Sequence, residues 1–217
     1  MPRRSLVLLA AAMMLPLSTI TVHSAATAAS SGSATPAGTA TEARVSSVAL
    51  DDPTGDVWAI GDGEDSSWVS AGDVPTADVV HAVASHGRAR VRVEMTFTDL
   101  RREEPQSYVA MLTTGRRLRA VFVSAGPGRW TGRRQMVNGQ FATVRCPRLT
   151  HSIDYDTEQV VISVPRSCLG LPRFVRVGMS NMMFRGETEA DFQEITDNPH
   201  TADAEGSQTQ RLYRAAG

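Results

Sequence analysis

Apolar and polar residues alternate with a period of two along much of this chain. The clearest run is RARVRVEMTFT, residues 88–98, where Ala89, Val91, Val93, Met95 and Phe97 fall on one side and Arg88, Arg90, Arg92, Glu94 and Thr96 on the other. Successive side chains of a strand point to opposite faces, so this spacing predicts a strand with one dry and one wet side. ADVVHAVA (77–84) precedes it across Ser85-His86-Gly87, which has the length and glycine content of a hairpin loop. Further strands are predicted over 107–114, 118–125, 140–146, 159–164 and 173–181, nearly all separated by glycine, proline or acidic clusters. HSIDYDTEQVV (151–161) reads as two strands joined by an acidic turn. Only Phe192 and Ile195 suggest a short helical turn, and no long amphipathic helix is visible.

About eight short strands without helices for parallel crossovers predict an all-β fold, an antiparallel two-sheet β-sandwich of jelly-roll or immunoglobulin-like kind. The patterned region, about 140 residues, suits one domain with a single core. Ahead of it, Arg3 and Arg4 precede an apolar run from Leu6 to Leu17 and small residues around Ala26-Thr27-Ala28. That is the layout of a cleaved secretory leader, too short to span a bilayer, which takes about 20 apolar residues. The expected organisation is a leader at 1–28, a flexible Ala/Ser/Thr/Gly/Pro linker at 29–45, the sandwich at 46–184 and a polar tail at 185–217. No membrane span is expected after leader cleavage, and the mature protein is expected to be secreted and monomeric.

Cys146 and Cys168 are the only cysteines, and export favours their oxidation to one disulfide. No C-x-x-C or Cys-His cluster surrounds them.

Charge is distributed unevenly. Residues 45–87 hold eight acids and no arginine or lysine, whereas residues 88–148 hold thirteen arginines against four acids. One face or end should be acidic and another basic. The acids concentrate in DDPTGDVWAIGDGEDSSW (51–68), where Asp52, Asp56, Asp62 and Asp65 have the chemistry of calcium ligands spaced along a glycine-bearing turn. Their spacing is not that of an EF-hand. Asp and Gly also serve ordinary turns, so a calcium site and a set of solvated turns both remain open. Of the three tryptophans, Trp58 alternates as a strand residue of the core, while Trp68 and Trp130 lie nearer turns, where an indole can stack on a ligand.

DPTGDVW, the alternating strand at 88–98 and YDTEQVVISVPRSCLGLPRFVRVGMSN (155–181) together resemble small secreted actinobacterial β-sandwich domains. Those domains are in the style of family-9-like carbohydrate-binding modules and DOMON-type domains. The resemblance covers roughly residues 48–184. It implies a structural calcium in the acidic first loop, marking Asp52 and Asp56, and sugar stacking by Trp58, Trp68 or Trp130.

Catalytic signatures are sparse. The expected mature chain has four histidines, His81, His86, His151 and His200, none in H-E-x-x-H or at metal-ligand spacing with another. GMSNM lacks the second glycine of a nucleophile elbow. Asp154, Asp156 and Glu158 fall in the acidic turn. The expected function is therefore a non-enzymatic module binding an extracellular glycan. The alternative is a cell-envelope or protein-interaction module whose basic face, including Arg116, Arg117, Arg119, Arg133 and Arg134, meets an acidic polymer or partner. A secreted hydrolase built from residues distant in sequence is the third reading. Export and the near-neutral total charge argue against a nucleic-acid partner.

Overall fold

The described residues of the computed structural model are 44–61, 67–115, 117–186, 192–199 and 207–216, which leaves the expected leader, most of the linker, Asp62, Asp65, Arg116 and His200 outside them. Thirteen strands are formed among these residues, in place of the eight or so expected. The acid-rich start supplies β1 (Ser47–Asp51), β2 (Val57–Gly61) and β3 (Val69–Gly72). There follow β4 (Val79–His86), β5 (Arg90–Phe97), β6 (Gln106–Thr114), β7 (Arg117–Gly126) and β8 (Arg129–Asn138). The rest are β9 (Thr150–Asp154), β10 (Gln159–Pro165), a single 3-10 turn (Arg166–Leu169), β11 (Phe174–Arg185), β12 (Gln193–Asp197) and β13 (Leu212–Tyr213).

All named pairs are antiparallel, and they make two sheets. One has five strands in the order β1-β4-β5-β10-β9, and the other runs β3-β2-β12-β11-β6-β7-β8 with β13 added beside β11. The alternation of β5 becomes burial: Val91, Val93 and Met95 are inaccessible and Phe97 nearly so, while Arg92 stays exposed. These side chains meet Tyr108, Ala110 and Leu112 of β6 and Val175, Val177 and Met179 of β11 in the core between the sheets. Phe97 packs edge-on against Tyr108, with ring centroids 5.5 Å apart, the arrangement that brings a positive ring edge to a negative face. Val57, Ala59, Val74, Ala77, Met183 and Ile195 form a second apolar cluster. The fold is a two-sheet antiparallel β-sandwich, and Cys146 is bonded to Cys168 as expected, with Cα atoms 5.5 Å apart.

Three expectations need correction. Residues 140–146 do not form a strand: Asn138 Oδ1 accepts the Gln140 and Ala142 N–H groups, which turns the chain back, and only Thr143 bridges to Val137. The strand at this point is β8 instead. Residues 185–217 are not merely a polar tail, since β12 sits between β2 and β11 in the larger sheet, with Ile195 1 % and Leu212 0 % exposed. Phe192 and Ile195 form no helical turn. Ile195 is a strand residue of β12, and Phe192 stacks on Phe184 with centroids 6.0 Å apart.

Candidate functional site

The turn between β1 and β2 carries Asp52 and Asp56, and the end of β12 brings Asp197 to them. One carboxylate oxygen from each lies within 4.8 Å of the others. Local sequence shapes the turn: Gly55, at φ +77°, donates its N–H to both oxygens of Asp78 at 3.2 Å, which ties the turn to the start of β4. Asp78 is fully buried and also accepts from Thr98 Oγ1 at 2.8 Å. Asp197 accepts the Val79 N–H at 2.6 Å. By contrast, Oδ2 of Asp52 and both oxygens of Asp56 are sealed from solvent and accept no hydrogen bond from another residue among the described residues.

Burial and mutual repulsion raise the proton affinity of this group. Burial, followed by the charges of Asp197, Asp56 and Asp78, pushes the Asp52 carboxyl up to about 8. Burial, then Asp56 and Asp78, pushes Asp197 up to about 7 despite the backbone N–H groups it accepts. Asp56 is also raised, chiefly by burial. Like charges a few ångströms apart cost about 1 kcal/mol in water and about 4 kcal/mol near a protein surface. Protons or a cation must offset that cost. The donors are hard oxygens with no sulfur or imidazole among them, the set that suits calcium or magnesium rather than zinc or copper. Asp52 and Asp56 were marked by the sequence. Asp197 was not, because it reaches the site only through the pairing of β12 with β2.

The tryptophans separate. Trp58 lies on β2 as expected, but on the face opposite the buried Val57 and Ala59, so it is half-buried and outside both core clusters. Trp68, also half-buried, precedes β3 at one edge of the larger sheet, while Trp130 lies on β8 at the other. The two therefore cannot share a ligand surface.

Trp130 lines an open recess of about 320 Å³ with Arg102, Gly128, Arg129, Thr131, Ile153 and Tyr155. The pairing of β7 with β8 is irregular here, because Ser124 faces Arg133 and Gly126 faces Arg129, leaving Trp130, Thr131 and Gly132 opposite Ala125 alone. Such a bulge bends the strand and re-aims its side chains. It carries β8 onto β9, the edge strand of the smaller sheet. There the Tyr155 hydroxyl donates to the Trp130 carbonyl at 2.9 Å, and His151 Nε2 lies 2.8 Å from the Thr131 carbonyl. Arg102 stands 4.5 Å above the Tyr155 ring centroid.

Of the arginines of the expected basic face, Arg116 lies outside the described residues, and Arg133 and Arg134 both line a second recess. Arg133 faces Ser124 on the outer side of the larger sheet, whereas Arg134 faces Val123 and projects on the core side at the sheet edge. Arg119 donates to the Leu118 carbonyl. The acids of the β9–β10 turn do structural work: Asp154 Oδ1 accepts from the Asp156 and Thr157 N–H groups, and Glu158 accepts from Leu100 N. No helix among the described residues is long and apolar enough to cross a membrane. No family model, curated protein or solved structure matches the chain.

Proposed function

We propose that this chain is an exported, non-enzymatic β-sandwich module that binds an extracellular glycan at the Trp130–Tyr155 recess and braces its first loop with calcium. The observation that carries the glycan reading is the placement of Trp130, by the β8 bulge, beside Tyr155 in an open recess. An indole offers a flat apolar face to the C–H face of a sugar ring. The recess is at the small end of the ~300–1,000 Å³ range of ligand sites, so it suits a short stretch of saccharide. The resemblance to family-9-like carbohydrate-binding modules supports the same reading. Export is supported by the leader pattern and by the Cys146–Cys168 bond, which persists in oxidising compartments. A non-enzymatic role is supported by Asp154 and Glu158 of the β9–β10 turn, which accept backbone N–H groups.

The calcium brace is supported by Asp52, Asp56 and Asp197 together with the sealed oxygens of the first two. A bound ion would supply positive charge that ties the β1–β2 turn to the end of β12. Calcium takes six to eight oxygens, so backbone carbonyls or water would complete its shell. None of these carboxylates lines the recess, so the brace is structural and is not shared with the glycan.

A glycan array probed at low and high salt tests the binding function. The expected result is one class of glycan bound at both salts and lost in Trp130→Ala. Binding to no glycan, or binding that survives Trp130→Ala, would contradict stacking at the recess.

A further inference from the structure

We infer that the recess selects acidic saccharides, with Arg102 and Arg129 taking the carboxylate of a uronic-acid type sugar while Trp130 stacks on its ring. This rests on the glycan reading above and narrows it to a ligand class. Two arginines line the recess and no acidic residue does. Of the described arginines, Arg101 pairs with Asp99 and Glu103, Arg92 with Glu94, and Arg185 with Glu104. Neither Arg102 nor Arg129 has such a partner among the described residues.

The geometry leaves their donors available. Arg102 lies over the face of Tyr155, and stacking uses the plane of a guanidinium rather than its N–H edge. The Tyr155 hydroxyl is already committed to the Trp130 carbonyl, which holds the backbone beside the indole. Arg129 opens β8 next to Trp130, and both arginines are exposed. The fork of N–H donors on a guanidinium matches the two oxygens of a carboxylate. The ring of a neutral sugar would meet the indole but leave both cations without a counter-charge. A sulfate or phosphate could satisfy the charge, so the ligand test must separate these anions from a carboxylate.

Calorimetry with a trigalacturonate, its methyl ester and a sulfated dextran oligomer supplies that test. The wild type is compared with Trp130→Ala, Arg102→Gln, Arg129→Gln and Arg133→Gln, which lies on β8 outside the recess, each checked for a native melting transition. The expected result is tightest binding of the trigalacturonate and loss of its binding in Trp130→Ala. Arg102→Gln or Arg129→Gln should weaken it about tenfold, the scale of one hydrogen bond to a charged group, while Arg133→Gln leaves it unchanged. The methyl ester should bind more weakly and lose nothing in the arginine variants. Equal binding of ester and acid, both sensitive to Trp130→Ala, would overturn the acidic preference and leave the glycan reading intact. Trigalacturonate binding that survives Trp130→Ala, or no binding by any saccharide, would overturn both. Stronger binding of the sulfated oligomer, equally sensitive to Arg133→Gln, would mean general attraction to polyanions and overturn the inference.

Discussion

Gly132 sits at φ +81°, and a Cβ added there would lie 2.9 Å from both His151 Nε2 and Val123 Cγ1. The left-handed backbone and the close approach of β8 to β9 thus demand glycine for separate reasons. Gly132→Ala should cost roughly 2–4 kcal/mol in urea unfolding, the sum of backbone strain and overpacking. Wild-type stability in this variant would mean that the β8–β9 seam is looser than described. Tyr155→Phe removes one hydroxyl donor from the Trp130 carbonyl. It should cost about 1 kcal/mol of stability and weaken glycan binding, because the backbone beside the indole loses its tie. At this scale Asp52 and Asp56 were legible in the sequence, since acids beside Gly55 announce a turn whatever the fold. The glycine requirement at residue 132 was not, because it arises from contact with another sheet.

At the scale of elements, the C-terminal strand β13 is held by a buried polar clasp. His86 Nδ1 lies 2.9 Å from the Leu212 carbonyl, and Arg166 Nε donates to His86 Nε2 at 2.9 Å. Arg166 further donates to the carbonyls of Arg88 and Pro172, and Ala215 N donates to the His86 carbonyl. A neutral His86 fits both contacts, donating from Nδ1 and accepting at Nε2. Burial, helped by the charges of Arg166 and Arg214 and opposed by the Leu212 carbonyl, holds its pKa below the ordinary 6.5. Stability from this group is therefore present above about pH 6.5 and is lost as pH falls through the depressed value in the folded state. The difference in urea midpoint between wild type and His86→Gln should shift in that direction on acidification. A difference independent of pH would remove the clasp from the account. The Cys146–Cys168 bond closes a loop spanning β9 and β10. Cys146→Ser with Cys168→Ser should cost roughly 3 kcal/mol by the chain-entropy estimate.

Elements differed in how plainly the sequence announced them. β5, β6, β7, β10 and β11 were legible because half-buried strands must alternate. β8 escaped because its bulge, with Gly132 and three arginines in RWTGRRQMVN, breaks the period. β12, QEITD, is short and polar, and its burial depends on partners that no local pattern reveals.

Across the whole molecule, carboxylates from the first loop and from β12 meet, and the calcium proposed to sit there would pin the late part of the chain to the early part. Without an ion, the raised pKa values of Asp52 and Asp197 mean that the folded state binds extra protons between about 4 and 8. That contribution to stability is fully present below their ordinary 3.8 and is lost as pH rises through the folded values. Calcium should replace the protons, and its effect should therefore grow with pH. A hundredfold excess over Kd adds about 2.7 kcal/mol, roughly 5–10 °C in Tm for a domain of this size. The direct measurement is thermal melting at pH 8 and pH 5 with chelator, calcium or magnesium, for the wild type and Asp197→Asn. Calcium should raise Tm at pH 8, with a smaller gain at pH 5, less from magnesium and none in Asp197→Asn. Wild-type curves with chelator and with calcium that superimpose at pH 8 would contradict the calcium site.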